Sequence, residues 1–446
     1  RKHMFLTGIH EPMAEELSLD HLEVSGEIPE TLVGTYARIG PNPFKPDPRG
    51  HHWFLGDGMV HGIRLAGGSA EWYHNRYIKS GTLERNGGPP AAVGPRRGLR
   101  DTVNTNVLKV AGKTLALVES GPFPFELDRN LDTVASTNLQ GTLTAPLSAH
   151  LHEDPKTGEW HAITYESETQ DTVWHVAINR EGEVIAERPI ALRDGPSIHE
   201  CSITDDYVIV FDLPVTISIP TLAQGYNFPY RWNNAHPARV GLLPRRGDVD
   251  EIIWCDVDPC YVFHVANSFQ NDDGSVTIDC CAYQSMFAHG PDGPNGVPCG
   301  FERWRVDPKT RKVTRTAIDD SPQEFPRVDE RRFGQSYRHA WIVSQPNETV
   351  SNFVAENALY HHNLETGEKR SYSFGPDLVG GEFVFVPRTP DAKEADGWLM
   401  GLVIDAKNDT TQLQFFEALD IEQGPIGAVH IPHRIPPGFH GNWIPD

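Results

Sequence analysis

Apolar and polar side chains alternate with a period of two along residues 114–119, 159–166, 172–178, 207–211, 276–280 and 381–386. Successive side chains of an extended chain point to opposite faces, so each run predicts a strand with one buried face. A turn recurs between such runs: Asp154-Pro155-Lys156-Thr157-Gly158, Asp307-Pro308-Lys309-Thr310 and Asn363-Leu364-Glu365-Thr366-Gly367, each followed by another alternating segment, as at a hairpin tip. Helical patterning is sparse, with one candidate near residues 12–17. Segments 79–100, 218–239 and 286–301 lack alternation and are expected to be loops over one end of the molecule.

The 446 residues exceed the roughly 250–300 at which one compact core stops growing, so the chain either divides or repeats radially. Its 36 prolines and 40 glycines are spread throughout and no linker-like stretch interrupts it. Strand–turn–strand units of uneven length therefore predict an all-β fold, a single β-propeller domain over residues 1–446 with about seven blades and a cap of loops or short helix.

Charge and cysteine usage narrow the partners. With 39 basic and 61 acidic residues the net charge is −22, which repels nucleic acid and anionic headgroups. No run of about 18 apolar residues occurs, so no transmembrane segment is expected and membrane contact is at most weak and peripheral. The six cysteines, with Cys280 and Cys281 adjacent, do not form a disulfide framework, and Cys255 and Cys260 lack a second ligand pair for zinc; a reducing, cytoplasmic location is expected. The oligomeric state is left open by the composition.

Four widely separated histidines, His150, His199, His264 and His440, are candidates to enclose one metal ion. They stand 49, 65 and 176 residues apart, so only a closed, repetitive architecture brings them together. Most of the 21 histidines must be bystanders. The pairs His51-His52 and His361-His362 face opposite ways on a strand and cannot readily share a metal, and His430 and His433 are set aside likewise. His152, two residues beyond His150 and on the same face of an extended segment, is the competing candidate. No Ser-His-Asp signature, phosphate-binding loop or dinucleotide fingerprint is present.

The chain resembles the carotenoid cleavage oxygenases, a family that includes the lignostilbene dioxygenases. The likeness runs almost end to end through Tyr36-Ala37-Arg38-Ile39-Gly40-Pro41-Asn42-Pro43, Gly56-Asp57-Gly58-Met59-Val60-His61-Gly62, Asn104-Thr105-Asn106, Gly241-Leu242-Leu243-Pro244-Arg245, Glu324-Phe325-Pro326-Arg327 and Gly438-Phe439-His440-Gly441. The resemblance implies a seven-bladed propeller in which the four histidines hold a non-heme Fe(2+), with Glu119, Glu324 and Glu382 orienting three of them and His150 left without a carboxylate. Four neutral imidazoles suit a borderline divalent ion, and six-coordinate iron would keep two positions for oxygen.

The implied reaction is cleavage of a carbon–carbon double bond of a carotenoid or apocarotenoid by O2 as cosubstrate, giving two carbonyl products. It needs no organic cofactor and no protein acid or base. The likeness is greatest to bacterial members, through residues 72–77, 104–108 and 235–241. Stilbene-cleaving members carry a Lys, which binds the phenol oxygen, just before the first of the three glutamates; Val118 stands there, which favours a polyene. Only residues 216–224 separate the second-histidine strand from Tyr226, where many carotenoid cleavers carry a long apolar insertion, so a shorter apocarotenoid or a small aromatic alkene fits as well. Cleavage of a stilbene or phenylpropenoid to aromatic aldehydes is the alternative, and a propeller that only binds, without iron, is the non-enzymatic one. Val118, Phe439 and Met286 are the expected pocket residues.

Overall fold

The computed structural model describes residues 3–345 and 358–446. It is an all-β propeller built from antiparallel sheets. Five sheets have four to six strands, one has eight, and a two-stranded ribbon joins Val215–Ile217 to Tyr230–Trp232. In the eight-stranded sheet the halves Cys201–Ile203 to Ile253–Asp256 and Tyr261–Gln270 to Lys312–Asp319 meet at one parallel pair, Asp256 with Lys312. The sheets as hydrogen-bonded thus do not by themselves give a count of seven.

The ring closes twice between the two ends of the chain. Gly441–Pro445 pairs with Gly34–Pro41, and Val24–Gly26 pairs with Gly427–Ile431. This closure sets His440, which immediately precedes the last strand. Its amide donates to Thr105 O at 3.1 Å and its carbonyl accepts from Ile39 N at 3.0 Å.

Five of the six alternating runs are strands: Lys113–Leu117, Trp160–Glu166, Thr169–Ile178, Tyr207–Asp212 and Val276–Tyr283. In the sixth only Val384–Pro387 is strand, and Glu382 lies in the break after Leu378–Gly380. The recurring turn is one device used three times. Gly158, Arg311 and Gly367 each donate their amide to the carbonyl four residues back at 2.8 Å, and each has φ between 58° and 78°.

Residues 12–17 are not helical. The side-chain amides of Asn42 and Asn75 take the Met13 and Leu17 N–H groups at 2.8 and 2.5 Å and donate to the Met13 and Glu15 carbonyls. Bonds that a helix would make internally go to side chains of neighbouring strands instead. Short helices occur within two of the expected loops, at Gly81–Arg85 and Ile219–Ala223. Among the described residues no helix is long and apolar enough to cross a membrane.

The core lies between the sheets and includes fully buried Trp53, Trp304 and Trp341. Trp304 donates its indole N–H to Glu302 at 2.8 Å and packs under Arg315. Replacing Trp304 by Ala is expected to cost about 3–5 kcal/mol, read as a lower urea midpoint at unchanged slope.

Candidate metal centre

The four sequence-expected histidines meet on the axis. Three stand at or just before the edge strand of a sheet or half-sheet: His199 before Cys201–Ile203, His264 in Tyr261–Gln270, and His440 before Gly441–Pro445. His150 precedes the edge strand His152–Glu153. A register shift at Val262/His264 re-aims the third of them, as bulges do beside functional sites. His199 Nε2 lies 3.1 Å from His150 Nε2 and 3.2 Å from His264 Nε2, and His264 Nε2 lies 3.1 Å from His440 Nε2. All four ligand atoms lie within 4.8 Å of one another, and all four residues are buried.

Carboxylates face the opposite ring nitrogens. His264 Nδ1 donates to Glu324 Oε2 at 2.7 Å and His440 Nδ1 to Glu382 Oε2 at 2.9 Å. Glu119 Oε1 lies 2.9 Å from His199 Nδ1, off the N–H direction, and also accepts from Tyr165 Oη at 2.7 Å. Side-chain exposure of the three carboxylates is 12 %, 0 % and 3 % for Glu119, Glu324 and Glu382, so each charge depends on its partners rather than on water.

This arrangement tests whether a cation fits. A neutral imidazole that donates through Nδ1 presents a lone pair at Nε2. Carboxylates that accept from Nδ1 therefore turn the Nε2 lone pairs of His264 and His440 inward, and Glu119 beside His199 Nδ1 favours the same tautomer there; such lone pairs would repel one another unless a cation lay between them. The donor set fits a divalent metal with borderline preferences. Burial, together with neighbouring imidazoles, pushes the pKa of His150 far below that of ordinary histidine, and burial also lowers that of His440 despite Glu382; both favour neutral, ligating rings. At His264 burial acts the same way but Glu324 outweighs it and raises the pKa, so a cation there competes with a proton.

The carboxylates are themselves held. Burial would raise the Glu382 carboxyl, but Arg327, then His440 and the Gly441 N–H, outweigh it and bring its pKa down to about 2. Arg327 donates to Glu382 Oε1 at 3.0 Å, and also to Glu330 and Asn442. Burial likewise opposes charge on Glu119, which His199 and Tyr165 nonetheless keep below the ordinary range. Glu324 accepts from Phe325 N at 2.5 Å and Tyr283 Oη at 3.0 Å.

A cavity of about 980 Å³ opens onto the cluster, with His199, His264, His440 and Glu119 in its wall. Phe54, Phe228, Phe263, Phe325 and Phe439 line it, together with Val118 and residues from the segments 79–100 and 218–239. Met286 does not. It is fully buried in the core beside Gly296 and lies outside this wall, which corrects the expectation that it faces a substrate; of segment 286–301, Met286, Phe287 and Phe301 pack in the core, while residues 288–292 and 297–299 are exposed or half-buried.

Three features were not read from the sequence. Glu200 stands near His150, its Oε2 3.5 Å from Nδ1. His152, the competing candidate, is outside the four-histidine group and pairs with Glu200 Oε1 at 2.5 Å. Phe325 takes a left-handed φ of 57°, which turns its N–H onto Glu324 and stacks its ring on His264. Such strain in a bulky residue marks a functional site, but no composition signal announces it.

A propeller whose axis gathers four buried imidazoles, with carboxylates behind them, at the floor of an aromatic cavity defines a candidate mononuclear metal enzyme. Residues 10–445 match the RPE65 family model, described as retinal pigment epithelial membrane protein, and the chain belongs to this family. A carotenoid cleavage oxygenase of Mycobacterium tuberculosis is 36% identical over 99% of this chain and 97% of its own length. The crystal structure of Pseudomonas brassicacearum lignostilbene dioxygenase superposes with a TM-score of 0.88 at 25% identity, covering 99% of this chain and 98% of that one. A cobalt-substituted apocarotenoid oxygenase from Synechocystis does so with a TM-score of 0.85 at 27% identity, covering 98% and 97%.

Proposed function

We propose that His150, His199, His264 and His440 hold Fe(2+) and that the protein is a dioxygenase cleaving a carbon–carbon double bond of a carotenoid or apocarotenoid. The convergence of four Nε2 atoms, neighbours 3.1–3.2 Å apart, at the floor of an aromatic cavity carries this reading. Bound Fe(2+) would supply the binding and activation of O2. Glu119, Glu324 and Glu382 fix the tautomers and ring planes of three imidazoles and offset the charge of the ion. The Phe walls exclude water and hold an extended alkene against the centre. Overall, the double bond breaks and each of its carbons takes one oxygen atom, giving two carbonyl products without a further reductant. No side chain is assigned as acid or base.

The eight-stranded sheet is read as two blades, because a single parallel pair joins its halves. With the five smaller sheets this makes seven in one domain. Four of these units supply the histidines and the other three the glutamates. Six cysteines without a disulfide support a reducing cytoplasm.

Val118 borders the cavity beside Glu119. A hydrocarbon there offers nothing to a phenolate, which favours a polyene over a hydroxystilbene. Replacing Val118 by Lys is expected to improve turnover of phenolic alkenes relative to apocarotenals; an unchanged ratio across a substrate panel would show that this position does not set specificity. The likeness to lignostilbene dioxygenase supports stilbene cleavage as the second reading. Iron-loaded protein is incubated with apocarotenals, carotenoids and hydroxystilbenes under labelled O2, and products are identified by mass spectrometry. Apocarotenoid cleavage with label in both fragments is expected. Aromatic aldehydes alone would favour the second reading, and no cleavage on any substrate would refute the assignment.

A further inference from the structure

A second cavity, of about 260 Å³, reaches the histidine cluster and is bordered by His150, His264 and His440 together with His152, Glu200 and Arg327. Glu200 is a carboxylate with 3 % side-chain exposure that the family resemblance leaves without a role. One of its oxygens, Oε1, is fixed twice: it lies 2.5 Å from His152 Nε2 and accepts from Cys201 N at 3.0 Å. The other, Oε2, is left for His150 Nδ1, 3.5 Å away. Glu200 directly follows His199 at the entry to an edge strand, so the two side chains diverge. His199 reaches the centre while Glu200 reaches the ring of its neighbour, His150.

We propose that Glu200 is the positioning residue for His150, a fourth carboxylate that selects the Nδ1–H tautomer and so directs the Nε2 lone pair at the metal. His152 anchors Glu200, which explains why a second histidine stands so close to the centre without joining the four. The physical need is plain. Without an acceptor at Nδ1, His150 could carry its proton on Nε2 instead and would ligate only after moving it. Three oriented rings and one free ring would hold a metal less tightly than four oriented rings. The inference rests on the metal-centre reading above and deepens it.

The test uses the whole protein loaded with Co(II) or Fe(II). In Co(II) protein, each imidazole Nδ1–H held by an acceptor gives a strongly shifted proton resonance that exchanges slowly with water. A signal from His150 Nδ1–H is expected among them in the unaltered protein and is expected to be lost in Glu200→Ala. Loss of Fe(II) to a ferrous chelator should be about 10–100-fold faster in Glu200→Ala and Glu200→Gln, as for other partners of ligating histidines. A purely structural Glu200 would lower the melting temperature and leave the spectrum and the loss rate unchanged, which would overturn the proposal. Since one observation is made on the unaltered protein, it stands even if a variant fails to fold: the absence there of a slow signal assigned to His150 also overturns the proposal. Protein that takes up neither metal would overturn the centre itself, and this inference with it.

Discussion

Replacing His264 by Ala is expected to abolish both iron retention and turnover. His264, like His199, has an Nε2 that neighbours two of the others, here His199 at 3.2 Å and His440 at 3.1 Å. Its removal leaves three ligands and, behind the gap, Glu324 with 0 % exposure and no imidazole proton to accept. Glu324 would keep only Phe325 N–H and Tyr283 Oη as partners, and deleting a buried partner of a buried charge costs stability, at most on the order of 3–5 kcal/mol. The measurement is metal content after anaerobic loading and desalting, followed by product formation in air. Near-stoichiometric iron with unaltered activity would remove His264 from the centre.

Replacing Glu324 by Gln should weaken iron retention or turnover by about 10–100-fold while the fold survives. A glutamine can keep its oxygen on His264 Nδ1 and Phe325 N, where Glu324 Oε2 now accepts at 2.7 and 2.5 Å. Its amide then turns to Tyr283 Oη, which can accept as well as donate. What is lost is the charge behind the imidazole, so the effect should appear in metal affinity more than in melting temperature. Glu382 would be a less clean choice, because Arg327 shares it at 3.0 Å and the change would also weaken that ion pair, leaving Arg327 with Glu330 and Asn442. Iron content and rate equal to the unaltered protein would show that Glu324 only fills space.

Much of this centre was legible in the sequence because its parts have local signatures. Period-two alternation marks the strands around Ile163, Val176 and Val210, and five-residue turns mark hairpin tips. The motifs at residues 36–43, 56–62, 104–106, 241–245, 324–327 and 438–441, with the four histidines, brought the likeness to the family, and with it the three glutamates. What was missed depends on direction rather than residue type. Glu200 was given no role from the sequence; it follows His199 and diverges from it, but a neighbouring segment puts His150 Nδ1 3.5 Å from its Oε2. Met286 read as a pocket residue by its motif position in the family resemblance, yet its side chain is fully buried in the core and outside the cavity wall. Phe325 needed its positive φ to be seen. The supposed helix at 12–17 failed because Asn42 and Asn75, distant in sequence, bind its backbone.

Anomalous diffraction at the iron edge from anaerobically loaded crystals tests the central claim most directly. The account predicts one strong peak per chain, enclosed by Nε2 of His150, His199, His264 and His440, and no comparable peak elsewhere. An ion held instead between His152 and Glu200, or a fully loaded crystal with any of the four rings turned from a common centre, would contradict it.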